Sequence, residues 1–135
     1  MIVVDTSVLS LAYRRGRTSV APGPHVKRFA RLVATDELVA IPGIVLQELL
    51  SGVRTEAAFR RLDDAMGGFP LLLATRATHV RAARIRSQCR ARGIAASTVD
   101  CLIAGHALEA DAALLTADAD FGHIAIVCGL ELVTT

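Results

Sequence analysis

The sequence predicts an α/β fold: a mainly parallel sheet of four or five short strands flanked by helices. Three observations predict it. Short apolar runs with strand character alternate with helical patterns along the whole chain. The first run, Ile2-Val3-Val4, is β-branched and apolar on both faces, as suits the middle of a parallel sheet covered by helices. Hydrophobic residues make up 53% of the 135, and the mean hydropathy is +0.47, so helices should be buried along a broad face. That length suits one domain, residues 1–135, with a core of its own.

The elements follow in order. Asp5 ends the first strand, and Thr6 and Ser7 can cap a helix that begins with Val8, Leu9 and Leu11. In open parallel sheets ligands bind at the carboxyl ends of the strands, so Asp5 is expected at the mouth of a site. Arg14-Arg15-Gly16-Arg17 and Pro22-Gly23-Pro24 form the next loop. Its arginines suit either a solvated helix exit near the negative end of the dipole or a rim that contacts phosphate. A helix over His25–Thr35 is expected to turn Val26, Phe29, Ala30 and Val33 inward. Leu38–Ile41 is the second strand, and Pro42-Gly43 starts a helix through Ile44, Val45, Leu46, Leu49 and Leu50 to Gly52. Glu48 lies inside that apolar stretch, either exposed beside Gln47 or turned toward a site. Thr55–Met66 reads as a helix stopped by Gly67-Gly68.

Phe69–Ala74 is the third strand, and Pro70 near its start points to the sheet edge. Thr75–Arg92 is the longest helical pattern, with Ala82, Ile85 and Cys89 inside and Arg81, Arg84, Gln88 and Arg92 on a solvated side. Ser97 or Thr98 caps a helix to about Ala110 that buries Val99, Leu102, Ile103 and Ala107, with Asp100 in its first turn. Ala112–Thr116 is the fourth strand and runs into Ala117-Asp118-Ala119-Asp120. A last short strand is expected within Ile124–Val133.

Composition narrows the function classes. Net charge is only +2, with Lys27 the sole lysine among 15 basic residues, so attraction of polyanions must come from local clusters. The longest uncharged apolar stretch, 38–47, is too short for a bilayer and is broken by Pro42-Gly43, so no membrane partner is expected. No basic segment precedes an apolar one at the N-terminus, so no signal peptide is expected. Cys89, Cys101 and Cys128 are odd in number and form no CxxC pair, which suits reduced thiols in a cytoplasmic protein.

Acids collect at the strand exits. Asp5 follows strand one, Asp118 and Asp120 follow strand four, and Glu48 and Asp100 stand on helices that start near strand exits. If those strands are neighbours, the carboxylates converge, repel and raise one another's pKa values. A hard divalent cation relieves that repulsion. Mg²⁺ takes carboxylate and water oxygens and leaves positions for phosphate. Such an ion activates water for phosphodiester hydrolysis, and Thr6, Ser7 and Thr116 offer hydroxyls to fix the carboxylates. His106 and His123 have no ligand spacing, and His25 and His79 read as surface residues. Rival acid-rich folds fit poorly. An aspartyl-nucleophile phosphatase needs a second acid two residues after Asp5, where Ser7 stands, and a receiver domain needs a lysine late in the chain. No GxxxxGK loop is present.

Four segments, IVVDTSVL (2–9), QELLSG (47–52), DCLIAGHA (100–107) and LLTADADF (114–121), resemble the PIN-domain ribonucleases, and within them the VapC-type toxins of prokaryotic toxin–antitoxin pairs. The resemblance spans nearly the whole chain and implies a PIN-like three-layer sandwich. It implies endoribonuclease activity dependent on Mg²⁺, with Mn²⁺ as a substitute. It assigns Asp5, Glu48, Asp100 and Asp118 as the catalytic, metal-holding acids, Asp120 as an accessory acid, and Ser7 and Thr116 as supporting hydroxyls. It implies a homodimer and a small VapB-type antitoxin whose tail enters the acidic cleft. Apolar surface around Leu9, Tyr13 and Leu50 is expected to meet that partner. Arg14, Arg15 and Arg17 stand as candidate RNA contacts. Two other readings remain: a catalytically silent module that binds RNA or protein, and a housekeeping nuclease of the same family without an antitoxin. A structure-specific DNA nuclease is disfavoured, because the chain has no room for helices that clamp a duplex.

Overall fold

Strand β1, Ile2–Val4, sits in the middle of a four-stranded sheet of order β3-β2-β1-β4, with Val3 and Val4 fully buried. All pairings are parallel. The computed structural model describes residues 1–14 and 21–135. After β1 come α1 (Thr6–Leu9) and a π-helical turn over Ser10–Arg14. Then follow α2 (Pro24–Ala34), β2 (Val39–Pro42), α3 (Gly43–Ser51), α4 (Glu56–Met66) and β3 (Leu71–Leu72). The chain continues with α5 (Arg76–Ala91), α6 (Thr98–Glu109), β4 (Ala113–Leu115) and α7 (Asp120–Cys128). Arg15 and Arg17, and all of Arg14 beyond its backbone, lie outside the described residues.

The register positions the site. Val4 pairs with Leu115, so the next residues on each strand, Asp5 and Thr116, emerge side by side. Leu114 and Leu115 are fully buried, as both-face burial of a parallel strand requires. The expected edge strand is found but covers only Leu71–Leu72 of the expected Phe69–Ala74: β3 lies outermost, and the Pro70 carbonyl accepts from Ile41 N at 3.0 Å. No helix among the described residues is long and apolar enough to cross a membrane.

Several expectations are corrected. Asp5 itself caps α1, because its carboxylate accepts from Ser7 N and Val8 N, so Thr6 and Ser7 lie within the helix rather than capping it. Pro42 ends β2 rather than opening the helix; its ψ of 145° is extended, so it caps α3, which starts at Gly43. The inner face of α2 is rotated: Phe29 and Leu32 are buried, Ala30 is exposed and Val33 is 45% exposed. Aromatic packing sets that rotation, since the Phe29 ring lies 5.9 Å from both Tyr13 and Phe69. The expected last strand is mostly helix. Residues 124–128 belong to α7, which buries Phe121 and Ile124 and stops at Gly129, whose φ of 75° is left-handed. Leu132 alone makes a parallel bridge, to Leu114.

On α5, Ala82, Ile85 and Cys89 are buried and Arg81, Arg84, Gln88 and Arg92 are exposed, as the pattern predicts. The α1 turn buries Leu9 completely, so it offers no docking surface; Leu50 is half-buried and Tyr13 is exposed.

Candidate functional site

Asp5 is the buried anchor of the site. It caps α1, and its Oδ1 accepts from Ser7 N (3.1 Å), Val8 N (3.4 Å) and Ser7 Oγ (2.6 Å). Its Oδ2 accepts from Thr116 Oγ1 at 2.6 Å. The two hydroxyls also tie the strand exits together. Ser7 Oγ accepts from Ala117 N (2.9 Å), and Thr116 Oγ1 accepts from Asp118 N (3.0 Å). Each hydroxyl thus gives its one proton to Asp5 and takes an amide N–H on its lone pairs. Burial pushes the Asp5 carboxyl above the usual range; the Ser7, Thr116 and Val8 donors pull against it, and Asp118 adds to the rise.

Beside this anchor, Asp100, Asp118 and Asp120 each offer a carboxylate oxygen, all within 4.8 Å of one another. Asp100 stands in the first turn of α6, where its N–H donates to Ser97 Oγ at 3.0 Å. Asp118 leaves β4, and its Oδ1 accepts from Asp120 N at 2.9 Å, which turns the chain into α7. Burial and the neighbouring Asp118 charge push Asp100 up to about 6, with Asp5 and Asp120 adding to the repulsion. No cation offsets this, since the one ion pair among the described residues, Arg60–Glu56, is on exposed α4.

Glu48 is placed differently. It is exposed on α3 and accepts from Thr6 Oγ1 at 2.9 Å, so one hydroxyl links it to the turn that holds Asp5. It is not one of the three acids that share the 4.8 Å cluster, whereas Asp120, read from sequence as accessory, is. His106 is buried, and burial lowers its pKa, so it packs as a neutral ring; His123 is exposed. Neither joins the acids.

The donor set fits a hard divalent cation. It offers several carboxylate oxygens, no sulfur or imidazole, and repulsion that a cation relieves. Ser97 caps α6, as the sequence suggests, and its side chain also hydrogen-bonds the Asp100 carboxyl and pulls its pKa down against the burial, a role the sequence does not signal.

Comparison with known proteins agrees with this architecture. The family model described as "PIN domain" matches residues 2–127. Ribonuclease VapC11 of Mycobacterium tuberculosis (strain H37Rv) is 32% identical over 133 residues, covering 97% of this chain and 96% of the relative. VapC ribonuclease Mb1587 of Mycobacterium bovis matches to the same extent, 32% identical over 97% of this chain and 96% of its own. Among solved structures, VapBC2 from Rickettsia felis bound to a promoter DNA fragment aligns with a TM-score of 0.77 at 21% identity, covering 98% of each chain. FitAcB from Neisseria gonorrhoeae aligns with a TM-score of 0.75 at 19% identity, covering 99% of this chain and 97% of that one.

Proposed function

The chain belongs to the PIN-domain family, and from that premise we propose that it is a divalent-metal-dependent endoribonuclease acting as the toxin of a toxin–antitoxin pair. The observation that carries the reading is the meeting of Asp100, Asp118 and Asp120 beside Asp5 at the exits of the adjacent strands β1 and β4. Its relatives are ribonucleases, which supports an RNA substrate, and its structural neighbours include VapBC2 from Rickettsia felis and a toxin–antitoxin complex from Klebsiella pneumoniae, which supports an antitoxin partner.

In this reading Asp100, Asp118 and Asp120 hold Mg²⁺, with Mn²⁺ as a substitute, and Asp5 backs them. A divalent ion held by these residues would supply polarisation of a phosphoryl oxygen and a lowered pKa for a water. The protein's own groups set the conditions. Ser7 and Thr116 lock Asp5 in one rotamer. Ser97 holds the first turn of α6, and so the backbone of Asp100, in place. Asp100 must give up its proton to ligate, which its pKa of about 6 allows at neutral pH. Glu48 brings a fifth acid from α3, fixed by Thr6 and open to substrate.

An antitoxin arginine fits the same acids, because a guanidinium fork bonds carboxylates in bidentate fashion and can stand in the cation's place. A homodimer, a cytoplasmic location and a single nuclease domain over 1–135 complete the proposal.

The test has two arms. Purified protein should cleave structured RNA with Mg²⁺ or Mn²⁺ and stop with EDTA. Expression alone should slow growth, and co-expression of the small adjacent gene should restore it. Equal cleavage in EDTA refutes the metal role. Free expression with unchanged growth refutes the toxin role and leaves a housekeeping nuclease, and absence of any cleavage leaves a silent binding module.

A further inference from the structure

A cleft of about 680 Å³ opens beside the acids and shares Ser7 with them. Its size is that of a ligand site rather than a packing defect. One wall is the π-helical turn, which brings Ser10, Leu11 and Tyr13. The other is the α3–α4 connection and one face of α4, with Val53, Arg54, Arg61 and Leu62. No carboxylate lines it among the described residues, although an acidic cluster lies next door.

Tyr13 is the one tyrosine of the chain, and the residue is 40% exposed. It does not swing freely. Phe29 meets it edge-on, with centroids 5.9 Å apart and planes at 74°, and Phe29 in turn leans on Phe69. An aromatic ring fixed in place and exposed in a cleft is a stacking platform for a base, since every base has a π-face. Arg54 and Arg61 are exposed and in no ion pair among the described residues, whereas Arg60, one residue along α4, is paired with Glu56. Two unpaired guanidinium forks facing a cleft match phosphate oxygens.

We propose that this cleft is a nucleotide subsite that seats the residue flanking the scissile phosphate of a single-stranded RNA, its base on Tyr13 and its phosphates on Arg54 and Arg61. Ser7 joins cleft and acids, so a strand seated here runs on directly to Asp5 and Asp118. The inference rests on the ribonuclease reading and adds where, and by which groups, the strand is gripped. It makes the subsite indifferent to base identity in its stacking and dependent on a splayed, unpaired nucleotide.

The test is fluorescence anisotropy of a short fluorescein-labelled single-stranded oligoribonucleotide with the full chain in EDTA, where no cleavage occurs, over a series of salt concentrations. Tyr13→Ala should weaken binding on the order of tenfold with the salt dependence unchanged, and Tyr13→Phe should bind as the wild type does. Arg54→Ala and Arg61→Ala should each lower the slope of log K against log salt by about 0.7. Should Tyr13→Ala unfold, Tyr13→Leu keeps apolar contact with Phe29 while removing the ring, and the same loss is expected. Variants that bind with wild-type affinity and slope overturn the subsite, while wild-type cleavage with Mg²⁺ would leave the ribonuclease reading intact. Variants that keep RNA but lose the antitoxin also overturn it and make the cleft a protein-docking groove. A wild type that neither binds nor cuts RNA refutes both readings.

Discussion

Replacing Asp100 with Asn should abolish RNA cleavage and, without metal, raise the melting temperature. The carboxyl is pushed from 3.8 to about 6 by burial and by Asp118. The difference is about two pKa units, and at 1.36 kcal/mol per unit it amounts to about 3 kcal/mol for a fully shielded group. Asp100 is only half-buried, and solvent screening brings this to roughly 1–2 kcal/mol. Against it stands the helix dipole, which favours an acid in the first turn of α6 by about 0.3–1 kcal/mol and is lost in Asn. The repulsion wins, and a net gain of about 1 kcal/mol shifts the melting temperature upward by roughly 3–5 °C in a chain of this length. The sign sets the pH window. The folded state holds the Asp100 proton more tightly than the unfolded state, so wild-type stability falls as pH rises from 3.8 to about 6. The advantage of Asp100→Asn is therefore full above pH 6, shrinks through that window and vanishes below it. The assay is thermal unfolding in EDTA at pH 7 and pH 4. A variant that melts lower than the wild type at pH 7, or gains equally at both pH values, refutes the repulsion argument and makes Asp100 a structural cap.

Other outcomes follow from the same geometry. Ser7→Ala deletes the 2.6 Å bond to buried Asp5 and leaves Ala117 N without its acceptor, so it should cost about 1–3 kcal/mol in urea unfolding; a loss under about 0.5 kcal/mol contradicts the anchor. Leu115→Ala in the fully buried end of β4 should cost about 2–5 kcal/mol in the same assay. Because a proton competes for Asp100, apparent Mg²⁺ affinity should fall as pH drops through about 6, by up to about tenfold per unit; a flat profile from pH 7 to pH 5 would exclude Asp100 from the ligand set.

The parts of the site carried by local chemistry were legible in the amino-acid order. A β-branched run that ends in Asp5 marks the exit of β1, although Asp5 itself, not Thr6 or Ser7, caps α1, and parallel pairing with β4 then brings Thr116 and Asp118 to the same edge. Glu48 was ambiguous because helical spacing turns Val45 and Leu49 inward, leaving Gln47 and Glu48 outward. Only the Thr6 bond, across 42 residues, ties it to the site. Helix α7 was hidden by Ile124, Ile126 and Val127, whose strand propensity is overridden by burial of Phe121 and Ile124 on one helical face. The rotated face of α2 depended on two aromatic partners far away in sequence, Tyr13 and Phe69. The cleft of Tyr13, Arg54 and Arg61 left no local signature, because its walls come from the first turns of the chain and from α4.

The central claim is that Asp100, Asp118 and Asp120, meeting beside Asp5 at the exits of β1 and β4, hold the catalytic cation. Calorimetric titration of Mn²⁺ into the wild type and Asp118→Asn at pH 7 tests it most directly, since Asp118 belongs to the cluster and also raises the pKa of both Asp5 and Asp100. Saturable binding in the wild type, lost or weakened at least about tenfold in Asp118→Asn while the melting temperature holds, is the expected result. Equal binding by both proteins, or no binding by the wild type, would contradict it.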